Sequence, residues 1–324
     1  MCTAVSFSAR NHYFGRNLDL EFHYNESVVI TPRNYVFRFV DARTLRSHYA
    51  MIGIATVVND YPLYYDATNE MGLSMAALNF PGNAVYRSPA SCRDNITPFE
   101  CIPWILSQCK SVDEAIPLLE RINITDVPFS ADYPLTPLHW IISDHHKSVV
   151  LESMKDGIKL HENKIGVLTN NPPFDYHMVN LSNYLNVTAG VPENRFSNQL
   201  DIKPYSRGMG GIGLPGDVSS SSRFIRATFT KWNSVCEDTE VSAVSQFFHI
   251  LESVAQYRGC VRFDGHYEIT VYSSCCNTDT GTYYYKTYDN SQITAVSLKK
   301  VSITGSNLIC YPLRNQSNIY LEKQ

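Results

Sequence analysis

No stretch of the chain approaches the ~20 consecutive apolar residues that a membrane-spanning helix requires. The opening residues, MCTAVSFSARNHYFGRNLDL, also lack the apolar core and small-residue cleavage site of a secretory leader. The expected location is therefore the cytoplasm, with no stable membrane insertion. Basic charge is scarce: 27 Lys and Arg stand against 31 Asp and Glu, a formal net charge of −4. Binding to nucleic-acid phosphates calls for clustered cations. Neighbours such as Lys299 and Lys300 are isolated pairs, so a nucleic-acid partner is set aside.

The nine cysteines contain no CxxC, which removes zinc ribbons and thioredoxin-type redox motifs. Their odd number and irregular spacing suit reduced, mostly buried thiols. There is no GxSxG elbow and no P-loop. A GxGxxG does occur at 208–213, but it follows the polar segment DIKPYSR and precedes LPGD. Neither the strand nor the helix that would hold a pyrophosphate flanks it. His145 and His146 are adjacent and so point apart, with no further ligand at metal spacing. Neither cofactor nor metal is expected.

What is present reads as one compact unit, 1–324, with no internal repeat or linker. Alternating segments predict strands at 2–8, 13–18, 28–31, 35–40, 52–58 and 73–78. Thr97 with Glu100 and Ser111 with Glu114 are spaced as helix-capping boxes, and Pro103 and Pro117 limit the helices they open. Strands follow at 138–143, 148–152 and 157–161, and then helices at 174–185, 219–233 and 242–256. A last group of strands is predicted at 267–273, 282–288 and 292–298. Strands cluster at both ends without a βαβα rhythm, which favours α+β with antiparallel sheets.

Cys2 is the first chemical signal. Loss of Met1 would leave one residue carrying both a thiol and a free α-amine. An α-amine titrates near 7.7–8.0, roughly two units or more below lysine. It can therefore serve as the base for its own thiol. A second-position cysteine is also compatible with an inert thiol. GRNLDL (15–20) adds Arg16 and Asp19, which a 2–18 hairpin would bring close to Cys2. A fixed cation favours a thiolate, and a carboxylate can hold an ammonium. A structural Arg–Asp pair at a sheet end is the plainer alternative.

MCTAVSF followed by YFGRNLDLEF resembles the opening of the choloylglycine hydrolase family of N-terminal nucleophile hydrolases, which includes bile salt hydrolases and penicillin V acylases. The likeness continues through NDYPLYYDATNEMGLSMAALNFPG, PLHWIISD, GVLTNNPPFDYH, SRGMGGIGLPGDVSSSSRFIRATF and YSSCCN, nearly the whole chain. The resemblance implies a four-layer αββα sandwich of two antiparallel sheets. It implies Cys2 as nucleophile, Arg16 and Asp19 as the residues contacting its sulfur and amine, and Arg223 as a second catalytic arginine. Asn170 would donate to the oxyanion from its side chain, and Asn79 from its backbone N–H. Asn79 is typical of the bile salt enzymes, where penicillin V acylases often carry Tyr. The implied reaction is cleavage of glycine- and taurine-conjugated bile salts. Penicillin V or an N-acyl homoserine lactone is the alternative substrate, and a non-catalytic amphiphile-binding protein the more distant one. Leu18, Phe22, Val58, Tyr65, Phe129, Tyr133 and Leu138 are the implied steroid-pocket residues, and a homotetramer the implied assembly.

Overall fold

The computed structural model of the chain describes residues 1–41, 43–317 and 319–322. Two antiparallel sheets carry the fold. The first is built from β1 (Cys2–Ser8), β2 (His12–Leu20), β10 (Val167–Leu168), β11 (Ile269–Asn277), β12 (Thr282–Thr287) and β13 (Thr294–Ser297), in the order β10-β1-β2-β11-β12-β13. The second has eight strands: β3 (Ser27–Thr31), β4 (Met51–Val58), β5 (Tyr61–Asn69), β6 (Ser74–Asn79), β7 (Leu138–Ser143), β8 (Ser148–Met154), β9 (Gly157–Glu162) and β14 (Ile309–Pro312). Their order is β9-β8-β7-β6-β5-β4-β3-β14.

Period-two alternation explains why the sheets stack and why each is covered by helices. In the eight-stranded sheet, Val28, Ile30, Ile52, Ile54, Ala76, Leu78 and Ile141 face the six-stranded sheet and share its core. Val29, Met51, Met75, Trp140 and Ile142 face the other way, into a second core with α1 (Cys101–Gln108) and α2 (Val112–Arg121). The first core continues through the six-stranded sheet to Phe224, Ile225, Phe247 and Phe248 on α4 (Ser220–Trp232) and α5 (Glu240–Glu252). The layers are thus helix, sheet, sheet, helix. A shorter helix, α3 (Phe174–Leu181), leads from the nearby edge towards α4.

Ser111 caps α2 by accepting the Glu114 N–H at 3.3 Å, and the Glu100 carboxylate accepts the Thr97 N–H at 3.0 Å, as their spacings require. Several segments depart from the sequence reading, among them these. Only Phe37–Arg38 of the 35–40 segment pairs, with Thr44–Leu45. The second long helix starts earlier, at Glu240, because Thr239 accepts the Ser242 N–H. The strand Tyr61–Asn69 escapes notice because Pro62 and Asp66 interrupt its apolar alternation. Asp66 is buried there because three hydroxyls of the facing sheet donate to it: Tyr272, Tyr283 and Ser274.

β2 is the strand on which the site is built. It is buried from His12 to Asp19, between the second sheet on one face and α5 on the other. Gly15 is required at its crossing with β11, since a Cβ there would stand 2.0 Å from the Ser274 carbonyl oxygen. Yet the next residues of this buried strand include Arg16, Asn17 and Asp19, all fully enclosed. Buried charge is costly unless paired, and the pairing is where the site lies.

Candidate active site

The β1–β2 register sets Cys2 opposite Leu18 and Ala4 opposite Arg16, and the Asp19 N–H donates to the Met1 carbonyl at 3.0 Å. On the far side of β1, Ala4 pairs with Leu168, so the chain leaving β10 delivers Asn170 to Cys2. The Cys2 N–H donates to Asn170 Oδ1 at 2.7 Å. Asn170 Nδ2 crosses to the second sheet and donates to the Asn79 carbonyl at 2.7 Å, at the end of β6. A carboxamide nitrogen carries two hydrogens, so one remains for another acceptor. From α4, Arg223 donates through Nη2 to Asn170 Oδ1 at 2.7 Å, through Nη1 to Thr3 Oγ1 at 2.6 Å and to the Cys2 carbonyl, and through Nε to the Val218 carbonyl at 3.0 Å. The structure therefore brings Cys2, Arg16, Asp19, Asn79, Asn170 and Arg223 to one junction.

Arg16 anchors to the second sheet through Nη1, donating to the Tyr65 carbonyl at 2.9 Å and to the Ala77 carbonyl. Its buried Nη2 has no partner. Burial works to lower the Arg16 pKa, but Cys2, Tyr272, Asp66 and Asp19 outweigh it and hold the guanidinium above its ordinary value. Asp19 accepts from Thr270 Oγ1 at 2.7 Å on Oδ1, while Oδ2 is 3.9 Å from Arg223 Nη1 and otherwise unpartnered. Burial pushes the Asp19 carboxyl up, against Arg223, the chain's ammonium and Arg16. Burial pushes Arg223 down, which leaves an arginine charged at neutral pH.

Above Cys2 opens a cavity of about 500 Å³, a size ordinary for a drug-sized ligand. Its floor is Cys2, Arg16 and Asn79, and its walls are mostly apolar or aromatic. Leu18, Tyr65, Phe129, Tyr133 and Leu138 line it. Phe22 and Val58, also expected at the pocket, are not among its lining residues. Phe22 lies beyond the end of β2, half exposed, with its ring edge-on to His266 at 4.6 Å. Val58 ends β4 at the left-handed Asn59–Asp60 turn and so falls past the cavity. Leu20, Tyr24, Thr56, Phe99 and Leu135 take part instead. The alternation that places Leu18 also places Leu20, so that one was readable from the sequence. The GxGxxG segment holds a 3₁₀ turn at Met209–Gly211 and contributes nothing to this cavity.

Two facing antiparallel sheets, helices outside them and the chain's first residues at their junction define the N-terminal nucleophile hydrolase fold. The model of linear amide C–N hydrolases of the choloylglycine hydrolase family matches residues 2–311, and the chain belongs to that family. It is 53% identical over 321 residues to the bile salt hydrolase/transferase of Lactiplantibacillus plantarum, covering 99% of each chain. The crystal structure of a cysteine-to-alanine variant of the conjugated bile acid hydrolase from Clostridium perfringens is similar with a TM-score of 0.92 at 36% identity, over 100% of both chains. A penicillin V acylase from Agrobacterium tumefaciens shares the fold, with a TM-score of 0.78 at 18% identity over 99% of this chain and 94% of that one. Among the described residues, no helix is long and apolar enough to cross a membrane.

Behind the junction lies a support that no motif announced. The fully buried His139 stacks on Phe80, next to Asn79, with ring centroids 4.2 Å apart. Its Nε2 donates to the Thr169 carbonyl at 2.8 Å, next to Asn170. Its Nδ1 lies 3.1 Å from Glu152 Oε1, which also accepts the Phe174 N–H at 3.0 Å. One ring thus ties the Asn79 and Asn170 segments together. Burial works to raise the Glu152 pKa, but the contacts with His139 and His161 and the Phe174 N–H overcome it and hold the carboxyl down at about 2. A depressed carboxyl stabilises the fold above its unfolded pKa of 4.5, and that contribution disappears as pH falls towards about 2. Glu152→Gln should therefore cost on the order of 3 kcal/mol at neutral pH. The gap to the parent protein should close between pH 4.5 and about 2. Urea unfolding at a series of pH values checks this, and a pH-independent gap would refute it.

Proposed function

We propose that the chain hydrolyses the amide bond of glycine- and taurine-conjugated bile salts, with Cys2 as nucleophile once Met1 has been removed. The observation that carries the proposal is the position of Cys2, buried at the polar floor of a mostly apolar cavity. A conjugated bile salt has the matching form: a rigid apolar body joined through an amide to a small anionic head. The name of the 53% identical relative, bile salt hydrolase/transferase, supports the substrate class.

In this reading the Cys2 thiol gives its proton to the Cys2 α-amine, and the sulfur attacks the amide carbonyl. The guanidinium of Arg16, with its unpartnered Nη2, offers positive charge to the sulfur. The remaining Asn170 Nδ2 hydrogen and the Asn79 backbone N–H receive the oxyanion. An oxyanion donor of this kind contributes about 2.7–4 kcal/mol to the transition state. The ammonium then protonates the departing glycine or taurine, which leaves the steroid acid as a thioester on Cys2. Water, deprotonated by the same amine, attacks the thioester and releases the acid and the thiol. Arg223 and Asp19 hold the Cys2 backbone and the amine in place.

A homotetramer belongs to the same proposal. The 185–205 segment leaves Leu185, Val191, Phe196 and Tyr205 more than 70% exposed, an apolar display suited to a subunit contact. Light scattering of the purified protein should give four times the chain mass, and a monomeric value rules the assembly out.

Intact mass should show Met1 missing, and the protein should release glycine or taurine from glycocholate and taurocholate much faster than it cleaves the side-chain amide of penicillin V. Cys2→Ala should fold, bind substrate and be inactive, and measurable turnover by it would end Cys2's role. Asn170→Ala should lower kcat by about 10²–10³, and an unchanged kcat would remove Asn170 from the oxyanion site.

A further inference from the structure

Glu268 stands at the start of β11, only 4% exposed, and the motifs leave it without a role. Its carboxylate accepts from the α-ammonium of Met1, and among the described residues it has no other hydrogen-bonded side-chain partner. The same ammonium donates to the Asp19 carbonyl at 2.7 Å. Met1 also lines the cavity beside Cys2, so its removal takes away a cation as well as a side chain.

A buried carboxylate left without a counter-charge is costly. The groups around it restrict what can replace the lost cation. Asp19 and Glu21 carry the same sign and push the Glu268 carboxyl up, in the direction that burial also drives it. Arg223 feels Glu268, but its Nε, Nη1 and Nη2 already donate to Val218, Cys2, Thr3 and Asn170. Arg16 is held on the second sheet by the Tyr65 and Ala77 carbonyls. The cation that does appear is the α-ammonium created on Cys2, one residue along, about 3.8 Å in backbone reach.

We propose that Glu268 is a positioning residue for the nucleophile: with Met1 gone, it is the second carboxylate, beside Asp19, that holds the Cys2 α-ammonium. The inference rests on the reading of that amine as the catalytic base. Nearby negative charge favours the protonated form of both members of the thiol–amine pair, which titrate together. Removing the charge moves the pH–rate profile to lower pH. A merely structural role would lower the rate and leave the profile where it was.

The test compares the parent protein with Glu268→Gln and Glu268→Asp, each checked for Met1 loss by intact mass, in kcat/KM on glycocholate across pH. The Gln variant should be processed, and its profile should move down by about 0.5–1 pH unit. The Asp variant, which keeps the charge, should stay near the parent. A Gln profile superimposed on the parent's overturns the proposal, and so does an Asp profile displaced as far as the Gln one. A Gln variant that retains Met1 also overturns it, because Glu268 would then serve excision and not the amine. Activity in Cys2→Ala protein would instead refute the underlying nucleophile reading.

Discussion

Everything at this junction depends on three ionisable side chains with no access to water, Arg16, Asp19 and Arg223. Such groups persist in a protein interior only when charge and hydrogen bonds are met from several directions. The two-sheet architecture supplies those directions. β2 brings Arg16 and Asp19 in from one sheet, the Tyr65 and Ala77 carbonyls meet Arg16 from the other, and α4 lowers Arg223 from outside. Cys2 sits where these contributions intersect. The buried charge therefore fixes the relation of both sheets and one helix to the N-terminus, and the nucleophile needs no separate device to place it.

The same enclosure explains the shape of the cavity. Cys2, Arg16 and Asn79 meet it where the strands carry charge inward, and most of the remaining wall is apolar or aromatic. A ligand that fits must be mostly apolar and must present its reactive amide at the polar end. Desolvation strengthens each of the floor's hydrogen bonds relative to their value in water. The proposed oxyanion donors are held by backbone and buried side chains before any ligand arrives, so on that proposal they need little reorganisation when charge develops on the carbonyl oxygen.

The sequence was legible where local pattern and structure agree. The alternation of residues 2–8 and the return through GRNLDL place Arg16 and Asp19 by Cys2, because hairpin register is local. Ser111 caps its helix for an equally local reason. Pairs made across sheets were not legible. Asp66 is tolerated in a strand only because three hydroxyls from the other sheet reach it. His139 and Glu152 look like ordinary strand residues until Phe80, Thr169 and Phe174 are folded around them. Phe22 and Val58 lie off the cavity lining for a related cause: a strand's pattern gives the face on which a residue lies but not how far the cavity extends along it. Glu268 is 267 positions from its partner, beyond the reach of any spacing argument.

These constraints also bear on how a buried thiol is activated at all. Releasing its proton to solvent would change the net charge of an enclosed cluster, and a low-dielectric interior resists that. Moving the proton to an amine on the same residue leaves the net charge of the cluster as it was. In the proposed mechanism Arg16 offers positive charge to the sulfur and Asp19 negative charge to the nitrogen, a field that favours the displacement. A base on a distant side chain would need its own buried counter-charge and its own path to the sulfur. An α-amine needs neither, but it exists only at a chain terminus, so in the proposed mechanism removal of Met1 decides whether this arrangement of charges has a base.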